Sequence, residues 1–209
     1  MPDPAELVRR KAELRALLSA RRRTVTAEAA ALAASAVADL LAQALALPAP
    51  VTVAGYWPLA DELDPRPAMQ RLAAAGHGLA LPRMEGRAAP LAFHAWSWGD
   101  PLLPGGFAVM QPDPGQPKLA PEVVLVPLLA FDARGHRLGY GKGYYDRTLR
   151  SLRAAGAARR TIGIAFALQE VPEVPATSFD EPLDAVVTED GLRRCAPPER
   201  TAAAGARPA

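Results

Sequence analysis

The stretch VVLVPLLAFDARGHRLGYGKGYYDRTL, residues 123–149, runs from an uninterrupted apolar segment through a glycine-rich loop into a helical pattern. A short apolar segment without polar alternation reads as a strand buried on both faces, and such strands belong to parallel sheets covered by helices. The same order of strand, loop and helix recurs along the chain. Residues 51–57 are rich in β-branched and aromatic types, and Asp64 with Pro65 opens a helix ending near Gly76. Further strands are expected at 79–81 and 161–166, and a helix from Tyr144. Strands alternating with helices imply an α/β fold around a mostly parallel sheet.

Two helices are expected ahead of this pattern. Asp3, Pro4 and Glu6 read as an N-cap, a first-turn proline and an acidic first turn, and Leu7, Leu14 and Leu18 recur at helical spacing as far as about Arg23. A second helix begins after Thr26 and continues to Leu47, where Pro48 and Pro50 stop it. Between 97 and 121 prolines and glycines break every periodicity, which predicts a long loop of the kind that often carries function. Residues 197–209, built of proline, alanine and arginine, are expected to be a disordered tail. Residues 1–196 are expected to form one domain, since half of the 209 residues are apolar and 22% are charged.

Charge and residue usage exclude several functions. A net charge of +2 is too small for a nucleic-acid or membrane partner, and the arginines at 9, 10, 21, 22 and 23 lack the interleaved aromatics of an RNA-binding surface. No uncharged apolar run reaches membrane-spanning length, no signal peptide is evident, and Cys195 is the single cysteine, so a cytoplasmic location is expected. Three histidines and one cysteine show no evident Ser-His-Asp or Cys-His arrangement, and His136 reads as a loop residue.

The glycine loop is the candidate site. Gly139, Gly141 and Gly143 alternate with other residues, so the backbone there can take positive dihedrals and turn N–H groups inward to cradle phosphate. The helix that follows points its positive end at the cradle, and Arg137 and Lys142 add full charges. The first glycine of a Walker motif would fall on His136, and Gly143 stands where that motif has Ser or Thr; a dinucleotide fingerprint is not matched either. The alternative is a flexible turn with basic residues facing water. The strand before, the helix after, and Tyr144, Tyr145 and Asp146 immediately behind favour the phosphate reading.

VPLLAFDARGHRLGYGKGYYDR resembles the signature of the 5-formyltetrahydrofolate cyclo-ligase family, approximately PGLxFDxxGxRLGxGxGYYD. In the same order, KAELR, residues 56–64 and the block IGIAFALQEVPEVPATSFDEPLDAVVTE are similar to other segments of that family, so the resemblance spans 11–189. It implies a three-layer α/β/α sandwich, related in architecture to sugar-phosphate isomerases and CoA transferases, and a monomer. It implies an enzyme that cyclises 5-formyltetrahydrofolate to 5,10-methenyltetrahydrofolate with ATP as co-substrate and Mg2+ as cofactor, releasing ADP and phosphate. The formyl oxygen would attack the γ-phosphate, after which a folate nitrogen closes on the activated carbon; positioning and charge stabilisation would then be the whole of catalysis.

By this resemblance Arg137, Leu138, Gly139, Tyr140, Gly141, Lys142, Gly143, Tyr144 and Tyr145 wrap the nucleotide phosphates, with Lys11 and Arg15 reaching them from the first helix. Arg137, Lys142 and Tyr144 take the catalytic roles. The folate lies across Trp57, Glu62 and Phe107 and shares residues 140–144, while Asp146 and Asp180 match the metal positions. Each residue also has a plainer reading. Lys11 and Arg15 could form a solvated helix face, Trp57 core, Glu62 part of a helix-start cluster, and Phe107 a loop plug; Asp146 could answer the helix dipole and Asp180 cap a turn. Pro65 stands where the family often has threonine, and ATSFDEPLD departs from its commoner run, which leaves a non-catalytic nucleotide- or folate-binding module as the alternative.

Overall fold

The computed structural model describes residues 3–45, 49–59 and 61–195, so the tail expected over 197–209 lies outside the described residues. Helix α1 (Pro4–Arg22) starts where foreseen: the Asp3 carboxylate accepts the Ala5 N–H at 3.1 Å and Pro4 occupies the first turn. Helix α2 (Ala27–Ala44) is capped by the Thr26 hydroxyl, which accepts the Ala29 N–H at 3.2 Å. It stops at Ala44, with Leu45 as its C-cap, short of the expected Leu47; residues 46–48 are not described.

Strand β1 (Thr52–Ala54) leads to α3 (Arg66–Ala74), then β2 (Gly78–Met84) and β3 (Leu91–Ala95). The segment 97–121, expected to be a loop, holds β4 (Leu102–Pro104), β5 (Met110–Pro112) and β6 (Lys118–Leu119). Strands β4 and β5 form an antiparallel hairpin whose prolines sit at strand ends, where a missing N–H is tolerated; that placement is what hid the hairpin. Next come β7 (Val123–Pro127), the short pair β8 (Ala130–Phe131) and β9 (Arg137–Leu138), and α4 (Tyr144–Ala154). β10 (Arg160–Ile164), β11 (Ala185–Thr188) and β12 (Gly191–Arg194) complete the chain.

The main sheet has the order β12-β11-β10-β7-β1-β2-β3-β6. From β11 to β2 every pairing is parallel, and the outer strands β12, β3 and β6 are antiparallel. Pro82 lies in β2 beyond Ala80, where the pairing with β1 has already ended, so its missing N–H costs that ladder nothing.

One face of the sheet presents Val53, Leu81, Leu125, Ile162 and Val187 to α2 and α3. The other presents Ala54, Val124, Val126 and Val186 to Leu149 of α4 and to Phe131. By length and composition α2 could cross a membrane. Its stripe of Ala33, Ala34, Val37, Ala38 and Leu41 is buried in the first of these cores, which is what its apolar character serves. Helix α1 joins neither layer. Its Leu18 packs with Ala130, Leu138, Val171 and Val174, so α1 lies against the β8–β9 hairpin and the segment after β10.

Candidate active site

The C-terminal ends of parallel strands are where open α/β sheets place their ligand crevices, because the loops diverge there. Here a cavity of about 540 Å³ opens at those ends, walled by Tyr56 and Trp57 after β1, Pro82 and Met84 in β2, and Pro127 at the end of β7. Every site residue named from sequence lines it: Lys11, Arg15, Trp57, Glu62, Phe107, the run 137–146 and Asp180.

Helix α1 supplies one wall through Lys11 and Arg15, and the same stripe continues into the protein. Lys11, Arg15, Leu18 and Arg22 follow the i, i+4, i+7, i+11 spacing of one helix face. Leu18 and Arg22 are buried, Lys11 reaches the Asp180 carboxylate at 2.8 Å, and the Arg15 Nε donates to the Gly139 carbonyl at 2.8 Å. Leu14 and Leu18, two of the leucines expected at helical spacing, pack in the cluster with Ala130 and Leu138, while Lys11 and Arg15 face the cavity.

In the glycine loop, Gly141 (φ +85°) and Gly143 (φ +65°) have the left-handed backbone that glycine permits. A side chain on Gly141 would also come within 3.1 Å of the Arg15 guanidinium. Gly139 departs from the expectation: it has no positive φ and open space where a Cβ would stand, and it contributes its carbonyl to Arg15. Gly143 is the N-cap of α4, so the helix end abuts the loop as expected. Leu138 and Tyr145 are apolar wall: Leu138 is buried in β9, and burial pushes the Tyr145 phenol far above its ordinary range. Tyr144 carries the Arg147 guanidinium over its ring at 5.1 Å.

The cations divide into two kinds. Arg137 is buried, and its guanidinium donates to Asp146 at 2.7 Å and to the Glu181 carbonyl. Asp146 also accepts the Glu181 N–H at 3.1 Å, so Arg137, Asp146 and the 180–181 backbone form one braced unit. Asp180 is braced from the other side by Lys11 and by the Thr177 N–H and hydroxyl. Burial works to raise the Asp180 carboxyl, but Lys11 and Thr177 outweigh it and hold it below its ordinary range. Arg15 and Lys142, by contrast, have no carboxylate within ion-pair distance among the described residues. Lys142 is exposed, its ammonium 5.9 Å from the centre of the Phe107 ring.

A further part of the lining is apolar and aromatic. Trp57 is half-buried, edge-on to Trp96 at 6.0 Å, with the Arg66 guanidinium 4.9 Å over its ring. Met84, Leu91 and Val109 continue the wall to Phe107, which is 62% exposed and has a left-handed backbone (φ 59°) between the β4 and β5 strands. Glu62 brings a carboxylate to this wall and accepts the Leu59 N–H at 2.9 Å. Burial raises its pKa above the ordinary value, against the opposing pull of the Leu59 N–H, Arg22 and Tyr140.

Several wall residues were not anticipated from sequence. Met84, Leu91, Val109 and Gln111 come from β2, β3 and the β4–β5 hairpin, elements whose extent or existence local pattern did not reveal. Arg22, weighed from sequence only among the arginines of a possible RNA-binding surface, is buried.

The model of the 5-formyltetrahydrofolate cyclo-ligase family matches residues 8–189. The chain belongs to that family. The 5-formyltetrahydrofolate cyclo-ligase of Escherichia coli K12 is 33% identical over 142 residues, 66% of this chain and 77% of that protein. The 5,10-methenyltetrahydrofolate synthetase of Aquifex aeolicus superposes with a TM-score of 0.68 at 28% identity, covering 88% of this chain and 92% of the other. The synthetase of Mycoplasma pneumoniae gives a TM-score of 0.69 at 22% identity over 86% of this chain and 98% of the other, a likeness of fold. The cavity thus sits in a cyclo-ligase family fold. Pro65 is the N-cap position of α3 with no side-chain cap; the Asp64 carboxylate accepts the Arg66 N–H at 2.9 Å and secures the turn.

The raised Glu62 pKa has a measurable consequence if this carboxylate receives N–H donors from a ligand. Only the ionised form accepts such donors at both oxygens, so folate affinity should fall with acidification at a pH above the ordinary glutamate value. Folate dissociation constants measured across pH should show that limb. Glu62→Gln should weaken binding at neutral pH and remove the limb.

Proposed function

We propose that this chain cyclises 5-formyltetrahydrofolate to 5,10-methenyltetrahydrofolate, consuming ATP and releasing ADP and phosphate. The observation that carries the reading is one cavity lined by two chemically distinct sets of residues. Uncompensated Arg15 and Lys142 stand at a glycine loop and a helix N-terminus in one set, and Trp57, Met84, Phe107 and Glu62 form an aromatic and apolar lining with one acceptor in the other. The cationic set suits a polyphosphate and the apolar set a flat pterin with N–H donors.

With both substrates in one cavity the reacting atoms meet without a diffusional encounter. The formyl oxygen attacks the γ-phosphorus and ADP departs; the neighbouring folate nitrogen then bonds to the formyl carbon, its proton is lost, and the carbon–oxygen bond breaks to release phosphate. Lys142 and Arg15 offset charge on the transferring group, and Tyr144 lines the same cavity. Arg137 acts from below, keeping Asp146 and the 180–181 backbone in place. No covalent intermediate on the protein is required.

The donor set fits a magnesium ion delivered with the nucleotide. A hard cation of this kind keeps most of its waters and takes one or two protein carboxylates. Asp146 accepts Arg137 and the Glu181 N–H through Oδ1, and its Oδ2 has no protein donor among the described residues. Both oxygens of Asp180 are engaged by Lys11 or Thr177, so its charge would support the ion without a free oxygen to offer it. When bound, the ion neutralises phosphate oxygens. A cytoplasmic location and a monomeric state are part of the same proposal.

The test is methenyl product formation, followed by absorbance, with purified protein, ATP, magnesium and 5-formyltetrahydrofolate. Product equal to the ADP released, and its loss on chelation of magnesium, is the expected result. Binding of both substrates without product over many turnovers would make the chain a binding module and overturn the proposal.

A further inference from the structure

Arg22 is the last residue of α1, and its side chain is 1% exposed. A buried guanidinium is strongly unfavourable unless its charge is paired and its N–H groups are bonded. Here the pairing reaches three separate segments around the cavity. Arg22 lies 2.8 Å from the Asp61 carboxylate, donates from Nη2 to the Tyr140 hydroxyl at 2.6 Å, and donates from Nη1 to the Leu128 carbonyl at 3.4 Å. Asp61 adjoins Glu62 of the apolar lining, Tyr140 lies in the glycine loop, and Leu128 follows β7.

Asp61 and Tyr140 share no hydrogen bond with each other; the guanidinium is what joins them. Tyr140 is half-exposed and its ring lines the cavity; its hydroxyl accepts from Arg22 and also acts on the Glu62 carboxylate, so the guanidinium is the cation that fixes it beside that wall. The planar fork of arginine holds two directions at once, which an ammonium on a flexible stem does not.

We propose that Arg22 is a positioning residue that sets the glycine loop and the Glu62 wall relative to each other, so that both substrate subsites depend on one buried guanidinium. The inference rests on the proposed function for the identity of its two ligands. It assigns Arg22 no contact with either of them.

The test is a double-mutant cycle on the two partners, Asp61→Asn and Tyr140→Phe, both partly exposed and hence suited to folded variants. Calorimetric dissociation constants are measured for a non-hydrolysable ATP analogue and for 5-formyltetrahydrofolate, with KM and kcat alongside. Each single change should weaken both ligands about 3- to 10-fold, the range of one hydrogen bond, with a smaller change in kcat. The double variant should be no weaker than the worse single one, because either change already releases the shared guanidinium. Arg22→Lys should reproduce the double variant.

Effects that multiply in the double variant would show two independent contacts and overturn the proposal. So would an Arg22→Lys protein with lowered thermal stability and unaltered affinities, which is the outcome of a purely structural role. Failure of the functional reading looks different: the wild type would bind both ligands and make no methenyl product, while the coupling in the cycle remained readable in the dissociation constants.

Discussion

Replacing Lys142 by alanine should lower kcat/KM for methenyl formation by roughly two to three orders of magnitude, the loss typical of removing one preorganised charge donor at a transition state. The size follows from the electrostatics of the cavity. Lys11, Arg137 and Arg22 already hold carboxylates, so their charge is largely answered within the protein. Lys142 has the Phe107 ring for a neighbour and no carboxylate in reach among the described residues, so its charge is available to a phosphate. Since charge on the transferring phosphoryl group redistributes between ground and transition states, part of the loss should appear in kcat as well as in the KM for ATP. Lys142→Arg should recover part of the rate, because charge is restored at a different reach and geometry. The folate KM should move least. Steady-state kinetics with each substrate varied in turn reads all three quantities, and an Ala variant with wild-type kcat/KM would remove Lys142 from the reaction.

What the sequence disclosed, and what it did not, follows from the range of the interactions involved. The cap of α1, the N-terminus of α4 and the positive dihedrals of Gly141 and Gly143 are fixed by neighbours a few residues away, and all were readable. The interior strands β1, β2, β7 and β10 were readable because burial on both faces leaves a continuous apolar run; β11, equally buried but only four residues long, was not. The antiparallel edges were not: β3, β6 and the β4–β5 hairpin mix polar and proline residues, and their pairing is decided by partners elsewhere in the chain. On the inward face of α1, Arg22 escaped for a related reason. A stripe of Lys11, Arg15, Leu18 and Arg22 carries almost no hydrophobic periodicity, since its polar members are satisfied by distant groups such as Asp180 and Asp61. The family resemblance brought Lys11 and Asp180 into one site, but their ion pair spans 169 positions and no local pattern could announce it. Arg22 lacked both kinds of signal.

Asp132 stood in the recognised signature without an assigned role, and Asp132→Ala should destabilise the fold by about 3 kcal/mol, the cost of stranding buried donors to a charged acceptor. The carboxylate is buried and accepts three backbone N–H groups: Arg134 at 3.0 Å, His136 at 3.1 Å and Val174 at 3.0 Å. The first two close the turn between β8 and β9, and the third fastens the 171–174 segment beneath it, so the strand leading into the glycine loop is anchored from two sides. For a domain of this size the loss corresponds to a melting temperature lower by roughly 6–12 °C. Asp132→Asn should recover little, because its amide group would direct N–H against N–H on one side. Burial works to raise the Asp132 carboxyl, but the Val174 and His136 N–H groups, the His136 ring and Arg134 outweigh it and hold the pKa below its ordinary value. A carboxyl lowered on folding stabilises the native state in full above its unfolded pKa, near 4, and that stabilisation is lost as pH falls through the lower folded value. The stability gap between wild type and Asp132→Ala should therefore be constant from neutral pH down to about 5 and shrink below about 4. Chemical denaturation across that range measures it. A gap that stays flat into strong acid would mean the ionised carboxylate is not what holds the hairpin to Val174.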